Sequence, residues 1–245
     1  MDLLINYILR ILPAVIIIII GSFLLRPNKS LRIIIYILSF ILLRDALTPA
    51  SLWSLGITNG VPWIRLYLNH IFLIGMGFFS LIFVILLMLF DKENSKEITL
   101  INRTKAIPGL LFSIVALIIL VAPFIIVYGY SNVETRGGIV PEEYIISILF
   151  FSLFGNFLEE VLFRGYIYNF FRKKDNDIKA GIISGFVFCF FHIYLATTVT
   201  SIGTPLLLFT LWEGIICGIV GSKYGVIPST IVHGGAIFLL TSGLI

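Results

Sequence analysis

Long uncharged apolar runs, recurring along the chain, constrain this sequence more than any other feature. Residues 14–25 contain no charged side chain, and apolar segments elsewhere reach the roughly 20 residues needed to cross a hydrocarbon core. Of the 245 residues, 59% are hydrophobic and 12% charged. That is about half the charge with which a soluble domain covers its surface. A transmembrane β-barrel would show short segments of alternating polarity in place of unbroken apolar stretches. The expected fold class is an all-α, polytopic membrane protein.

Eight apolar segments are predicted, near residues 4–25, 31–47, 66–90, 108–128, 144–171, 178–196, 205–220 and 225–244. The first four form an N-terminal transmembrane scaffold, residues 1–140. The last four form a helical core, residues 141–245, with the site buried among them. The second segment is short, and Arg44 and Asp45 interrupt its end, so it is read as tilted, re-entrant or partly interfacial. The first is read as a retained span, because residues 21–27 offer no small-x-small cleavage site.

Basic residues follow the odd-numbered segments. Arg26, Lys29 and Arg32 follow the first, and Lys92, Lys96, Arg103 and Lys105 the third. Arg172, Lys173, Lys174 and Lys179 follow the fifth, and Lys223 the seventh. The alternate connections hold only Arg44, Arg65 and Arg136. By the positive-inside rule the rich loops are cytoplasmic and both termini lie on the other side of a cell membrane. The net charge of +4 and pI near 9.1 then report topology and contact with lipid headgroups, with no nucleic acid as partner.

Smaller features fit the same frame. Cys189 and Cys217 fall inside apolar segments and are expected to be packing residues. Gly181/Gly185 and Gly214/Gly218 are small-xxx-small pairs that let helices approach closely. The connector 91–107 is read as a surface loop whose Asn102-Arg103-Thr104 sequon goes unused. An inverted-repeat transporter is weakened by the absence of an obvious internal repeat.

The costly residues are the charges inside the spans, each about 2.5–3.5 kcal/mol on insertion scales. The fifth segment carries Glu159, Glu160 and Arg164 together. Glu160 and Arg164 stand at i and i+4 with the acid first, the favourable order for an ion pair on one helix face. Glu159 points about 100° away from that face, leaving a second carboxylate with no local cation. Asn156 lies one turn earlier, placed to hydrogen-bond either acid. His192 follows Phe188 by four residues in the sixth segment, and His233 sits in the eighth. His70 is read as a hydrogen-bonded packing residue. Glu213 is a further buried acid, expected to line the same cavity, pair with Arg10 or Arg164, or lie nearer the interface.

By themselves these groups support three chemistries. One acid and two histidines activate a water for hydrolysis, with a histidine helping the oxyanion. The same groups bind a metal, although no His-x-x-x-His pair is present to anchor one. Or they relay protons in a carrier.

The run Glu159-Glu160-Val-Leu-Phe-Arg164-Gly165, then Phe188-Cys-Phe-Phe-His192, then His233 after Pro228-Ser229, resembles the CPBP family over about residues 144–240. This family, often called the Abi family, comprises type II CAAX prenyl proteases and bacteriocin-processing or self-immunity proteins. The resemblance implies a glutamate-dependent intramembrane endopeptidase with no covalent intermediate and no cofactor. Its partners would be a peptide or protein substrate, prenylated or a leader peptide, and the lipid bilayer. Carried over, Glu159 and His192 hold and deprotonate the attacking water, and His233 helps stabilise the oxyanion. Glu160, Arg164 and Asn156 support the site. The sequence departs from the family at Ile237, where a histidine-plus-four Asn or Asp is common. That departure opens an alternative: a slow or non-catalytic membrane regulator of the same fold.

Overall fold

The computed structural model describes residues 2–25 and 28–245; Arg26, counted above among the basic loop residues, lies outside the described residues. Among these, the long helices are α1 (Asp2–Leu25), α2 (Lys29–Leu47), α3 (His70–Phe90), α5 (Ala106–Tyr128), α6 (Ile145–Glu160), α8 (Asp177–Phe190), α9 (Thr204–Tyr224) and α10 (Val226–Ser242). They correspond one for one to the eight predicted segments. A short α4 (Lys92–Ser95) follows α3, and α6 continues through a π-helical stretch (Val161–Ile167) into α7 (Tyr168–Arg172). Among the described residues, six helical segments are long and apolar enough to cross a membrane; α10 is apolar but shorter, at 17 residues. Outward faces carry large exposed apolar side chains such as Ile17, Ile71, Phe90 and Leu111, a surface suited to lipid chains. The protein is an integral, polytopic helical bundle.

Asparagines start several of these helices, each accepting from a backbone N–H of the first turn that has no helical partner. Asn28 accepts from Leu31 N, Asn69 from Phe72 N and Asn176 from Lys179 N.

The connection between α2 and α3 is more ordered than the sequence reading has it. Residues 53–66 form an antiparallel hairpin, β1 (Trp53–Thr58) and β2 (Val61–Leu66), with Thr58 opposite Val61. Asn59 and Gly60 both have positive φ, 52° and 78°, as a two-residue hairpin turn of this twist demands.

The two ends of the bundle sort as the charge alternation requires. At one end Lys29 and Lys173 both reach the Glu97 carboxylate, at 3.1 and 2.9 Å. The loop there is not free surface. Its Thr99 and Leu100 carbonyls accept from Val226 N and Ile227 N at the start of α10, and Asn102 N donates to Tyr224 O. At the other end the hairpin meets residues 133–136, with Thr58 Oγ1 donating to Thr135 O. The three arginines assigned to that end are not surface loop charges, because each is spent on internal partners. Arg65 donates to Leu240 O at 2.8 Å. Arg136 lies 4.0 Å from the Tyr128 ring centroid and donates to Ile245 O. Arg44 belongs to the site.

Asp91, at the end of α3, is a small hub at the basic end. Arg32 and Tyr36 donate to it, and it caps α4 through Asn94 N. Burial works against its charge, but the bonds from Asn94, Arg32 and Tyr36 outweigh that and hold its pKa below the usual carboxylate value. A depressed folded pKa means stabilisation that is complete above the unfolded value and lost as pH falls through the folded one. Asp91→Asn is therefore expected to lower the melting temperature at pH 7. The gap from wild type should close below about pH 4, the ordinary range of the free carboxylate. A gap that widened on acidification would contradict this.

The tightest packing is between α8 and α9, where the small-xxx-small pairs face each other. Gly181 meets Gly218 and Gly185 meets Gly214, backbone on backbone. A Cβ added at Gly185 would lie 2.5 Å from the Gly214 carbonyl carbon, a contact that only main-chain movement relieves. Gly185→Ala is expected to cost at least the ~1–3 kcal/mol typical of overpacking. In α3, by contrast, a Cβ at Gly75 meets nothing within 4 Å, so Gly75→Ala should be tolerated. Yield and melting temperature in detergent compare the two directly.

Candidate active site

The fifth predicted segment delivers its charges where α6 passes into the π-helical stretch. Such stretches widen the helix locally and recur at functional sites. Glu160 and Arg164 form the expected i,i+4 pair, Arg164 Nη1 donating to Glu160 Oε1 at 2.8 Å. Both side chains are almost wholly buried. Arg164 also donates to Gly214 O at 3.0 Å and lies over the Phe188 ring.

Glu160 has two further partners, both on α10. His233 Nδ1 donates to Oε1 at 2.8 Å, and the Ser229 hydroxyl donates to Oε2 at 2.5 Å. Ser229 stands in the Pro228-Ser229 stretch of the resemblance, and nothing local in the sequence marks this bond. A carboxylate only accepts, so the proton of His233 sits on Nδ1 and Nε2 faces the other way. Nε2 is 3.6 Å from Glu213 Oε1. Glu213 thus stands at the cavity, beside His233; Arg10 is exposed and does not meet it.

Glu159 is different in kind. It is buried, and its Oε2 has no hydrogen-bond partner among the described residues. Asn156 does not serve either acid, as the sequence reading had it. Its Nδ2 donates to Ser152 O at 2.6 Å, one turn back on its own helix. The amide thus satisfies a backbone carbonyl instead of a carboxylate.

His192 lies just beyond α8. Its Nδ1 is 2.8 Å from Phe188 O, which fixes the proton there, because a carbonyl only accepts. Nε2 is then the lone-pair nitrogen, and it is 2.8 Å from Arg44 Nη1. A guanidinium only donates, so the two contacts require the same tautomer. Arg44 is held by Asp45 at 2.7 Å and donates to Phe191 O at 3.1 Å. No short-range sequence signal ties Arg44 to a histidine 148 positions away. Its charge at the end of an apolar segment was the only mark it left in the sequence.

Glu159, His192, His233, Glu213, Asn156, Arg44 and Ile237 all line one cavity. Its remaining walls are mainly apolar, including Phe40, Leu47, Phe151 and Phe209, and the hairpin residues Trp53, Leu55 and Trp63 bound it. A mostly apolar cavity with a few convergent polar groups is the usual form of a ligand site. Among the described residues, no group of three or more His, Cys, Asp or Glu is placed to hold a metal ion. His70, outside the cavity, stacks on Tyr144 and bonds Ser147 Oγ at 2.8 Å, the packing role expected of it. Cys189 and Cys217 are free thiols within the bundle.

No curated protein and no solved structure matches the chain. Residues 141–239 match the family model described as type II CAAX prenyl endopeptidase Rce1-like. The segment holding every acid and histidine of this cavity is therefore similar to the type II CAAX prenyl endopeptidase Rce1-like family.

Proposed function

We propose that this chain is an intramembrane endopeptidase that hydrolyses a peptide bond with a water activated by Glu159. One observation carries the reading: Glu159 lines the cavity and has a carboxylate oxygen that no described residue hydrogen-bonds, while its neighbour Glu160 is saturated by Arg164, His233 and Ser229. In this mechanism Glu159 takes the proton as the water adds to the scissile carbonyl, and returns it to the leaving amine. His233, oriented by Glu160 through Nδ1, turns Nε2 to the reacting region. His192, with Nδ1 on Phe188 O and Nε2 on Arg44, has no nitrogen left for the water, contrary to the role carried over from the resemblance, and acts by holding Arg44. Residues 141–245 form the catalytic core, and residues 1–140 the scaffold that closes the cavity with α2 and the hairpin. The apolar walls suit a peptide carrying a prenyl chain or a hydrophobic leader.

The test is cleavage of a farnesylated peptide ending in a CaaX tetrapeptide, and of a panel of leader-like peptides, by purified protein and by Glu159→Gln. Equal cleavage by both, or none by either, removes the reading. Activity should survive a chelator; loss that zinc restores would favour a metal-dependent mechanism.

Ile237, an apolar side chain lining the cavity, supports a second reading as a non-catalytic regulator, in the manner of bacteriocin self-immunity. That reading requires a cellular phenotype that Glu159→Gln leaves intact.

A further inference from the structure

Among the described residues, Arg44 is the one charged residue lining the cavity that lies outside the family-matched segment. It is 5% exposed, sits near the end of α2, and touches His192 directly. A guanidinium has five N–H groups. Three are engaged, by Asp45, His192 and Phe191 O, which leaves one on each terminal nitrogen. Arg44 itself lines the cavity shared by Glu159 and His233. We propose that Arg44 is a catalytic residue whose remaining N–H groups donate to the oxyanion formed when water adds to the scissile carbonyl. This rests on the peptidase reading above.

The balance of the step is simple. Water oxygen bonds to the carbonyl carbon, the C=O π pair moves onto oxygen, and the water proton passes to Glu159. The C–N bond then breaks and the proton goes to the amine. Arg44 neither gains nor loses a proton; it meets the negative charge as it develops, where preorganised donors act most strongly. Its place beside His192 matters. A cation that gripped a remote substrate carboxylate would stand several residues away from the cavity's acids and histidines, not in hydrogen-bond contact with one of them. Asp45 and Phe191 O aim the guanidinium without occupying all its donors, and His192 Nε2 holds one edge of it in place. On the opposite account, Ile237 brings no donor to the cavity, so a cation arriving from α2 supplies what α10 does not.

The experiment compares wild type, Arg44→Gln, Arg44→Lys and the double variant Arg44→Gln/Ile237→Asn on the farnesylated CaaX peptide. Binding of its phosphonamidate isostere, a tetrahedral anion, is measured in parallel. Arg44→Gln should lower kcat by roughly 10²–10³-fold, the effect of removing one oxyanion donor, with KM changed little. Isostere affinity should fall by a similar factor while affinity for the uncleaved peptide holds. Arg44→Lys should keep part of the rate, and Ile237→Asn should restore part of it to Arg44→Gln. A kcat for both Arg44 variants near wild type, with Glu159→Gln inactive, overturns this assignment and leaves the peptidase reading standing. A rise in KM confined to substrates with a free terminal carboxylate overturns it in favour of an anchoring role. Cleavage indifferent to Glu159→Gln removes both.

Discussion

Glu159→Gln is expected to silence cleavage while leaving the protein as stable as wild type. The amide has the shape of the carboxylate but cannot accept a proton from water, so the rate should fall by roughly 10²–10⁴-fold, the range for a positioned general base. Stability should not fall with it. Among the described residues none donates to Glu159 Oε2, so the change strands no partner there and replaces a buried acid with a neutral amide, which relieves desolvation. Initial rates and melting temperature in detergent, taken from one preparation, give both numbers. A rate within tenfold of wild type, or a large drop in melting temperature, would show that Glu159 has been assigned the wrong work.

The adjacent carboxylate should respond the other way. Glu160→Gln leaves Arg164 as an uncompensated cation deep in the bundle and weakens the holds on His233 and Ser229. Breaking a buried pair from one side costs about 3–5 kcal/mol, enough to cost most of the folded protein. Replacing both partners, Glu160→Leu with Arg164→Leu, should be less damaging than Glu160→Gln alone, since no charge is then stranded. Two neighbouring glutamates would thus separate cleanly, one affecting rate and the other folding. A Glu160→Gln protein that melts within ~0.5 kcal/mol of wild type, the spread of ordinary surface changes, would refute the central role given to this pair.

Much of this was legible where the controlling interactions are local. The i,i+4 spacing of Glu160 and Arg164 gave the ion pair outright. The four glycines marked two helices built for close approach, without saying that they approach each other, and alternating basic loops sorted the two ends of the bundle. What escaped was mostly long-range. Whether Glu160 or Glu159 would meet His233 depends on which face of α6 meets α10, and helix periodicity does not say which neighbour a face will find. The contact of Arg44 with His192 depends on α2 packing against the core from outside it, so the charge that seemed to spoil a span is part of the cavity. Asn156 was misplaced because a short amide on a helix competes for its own backbone. The hairpin was a different kind of miss. Asn59-Gly60 between β-prone residues is a strong local signal, overlooked because a membrane reading treats everything between spans as connection.

The glycine crossing of α8 and α9 has a mechanical consequence. Two main chains in direct contact have no rotamers between them to yield, so that seam transmits displacement without damping. Phe188 and His192 on one side, and Glu213 and the Gly214 carbonyl that binds Arg164 on the other, keep fixed relative positions. On the proposed reading, adjustment to substrates of different bulk falls to the opposite wall, α2 and the hairpin, where side chains rather than backbones make the joints.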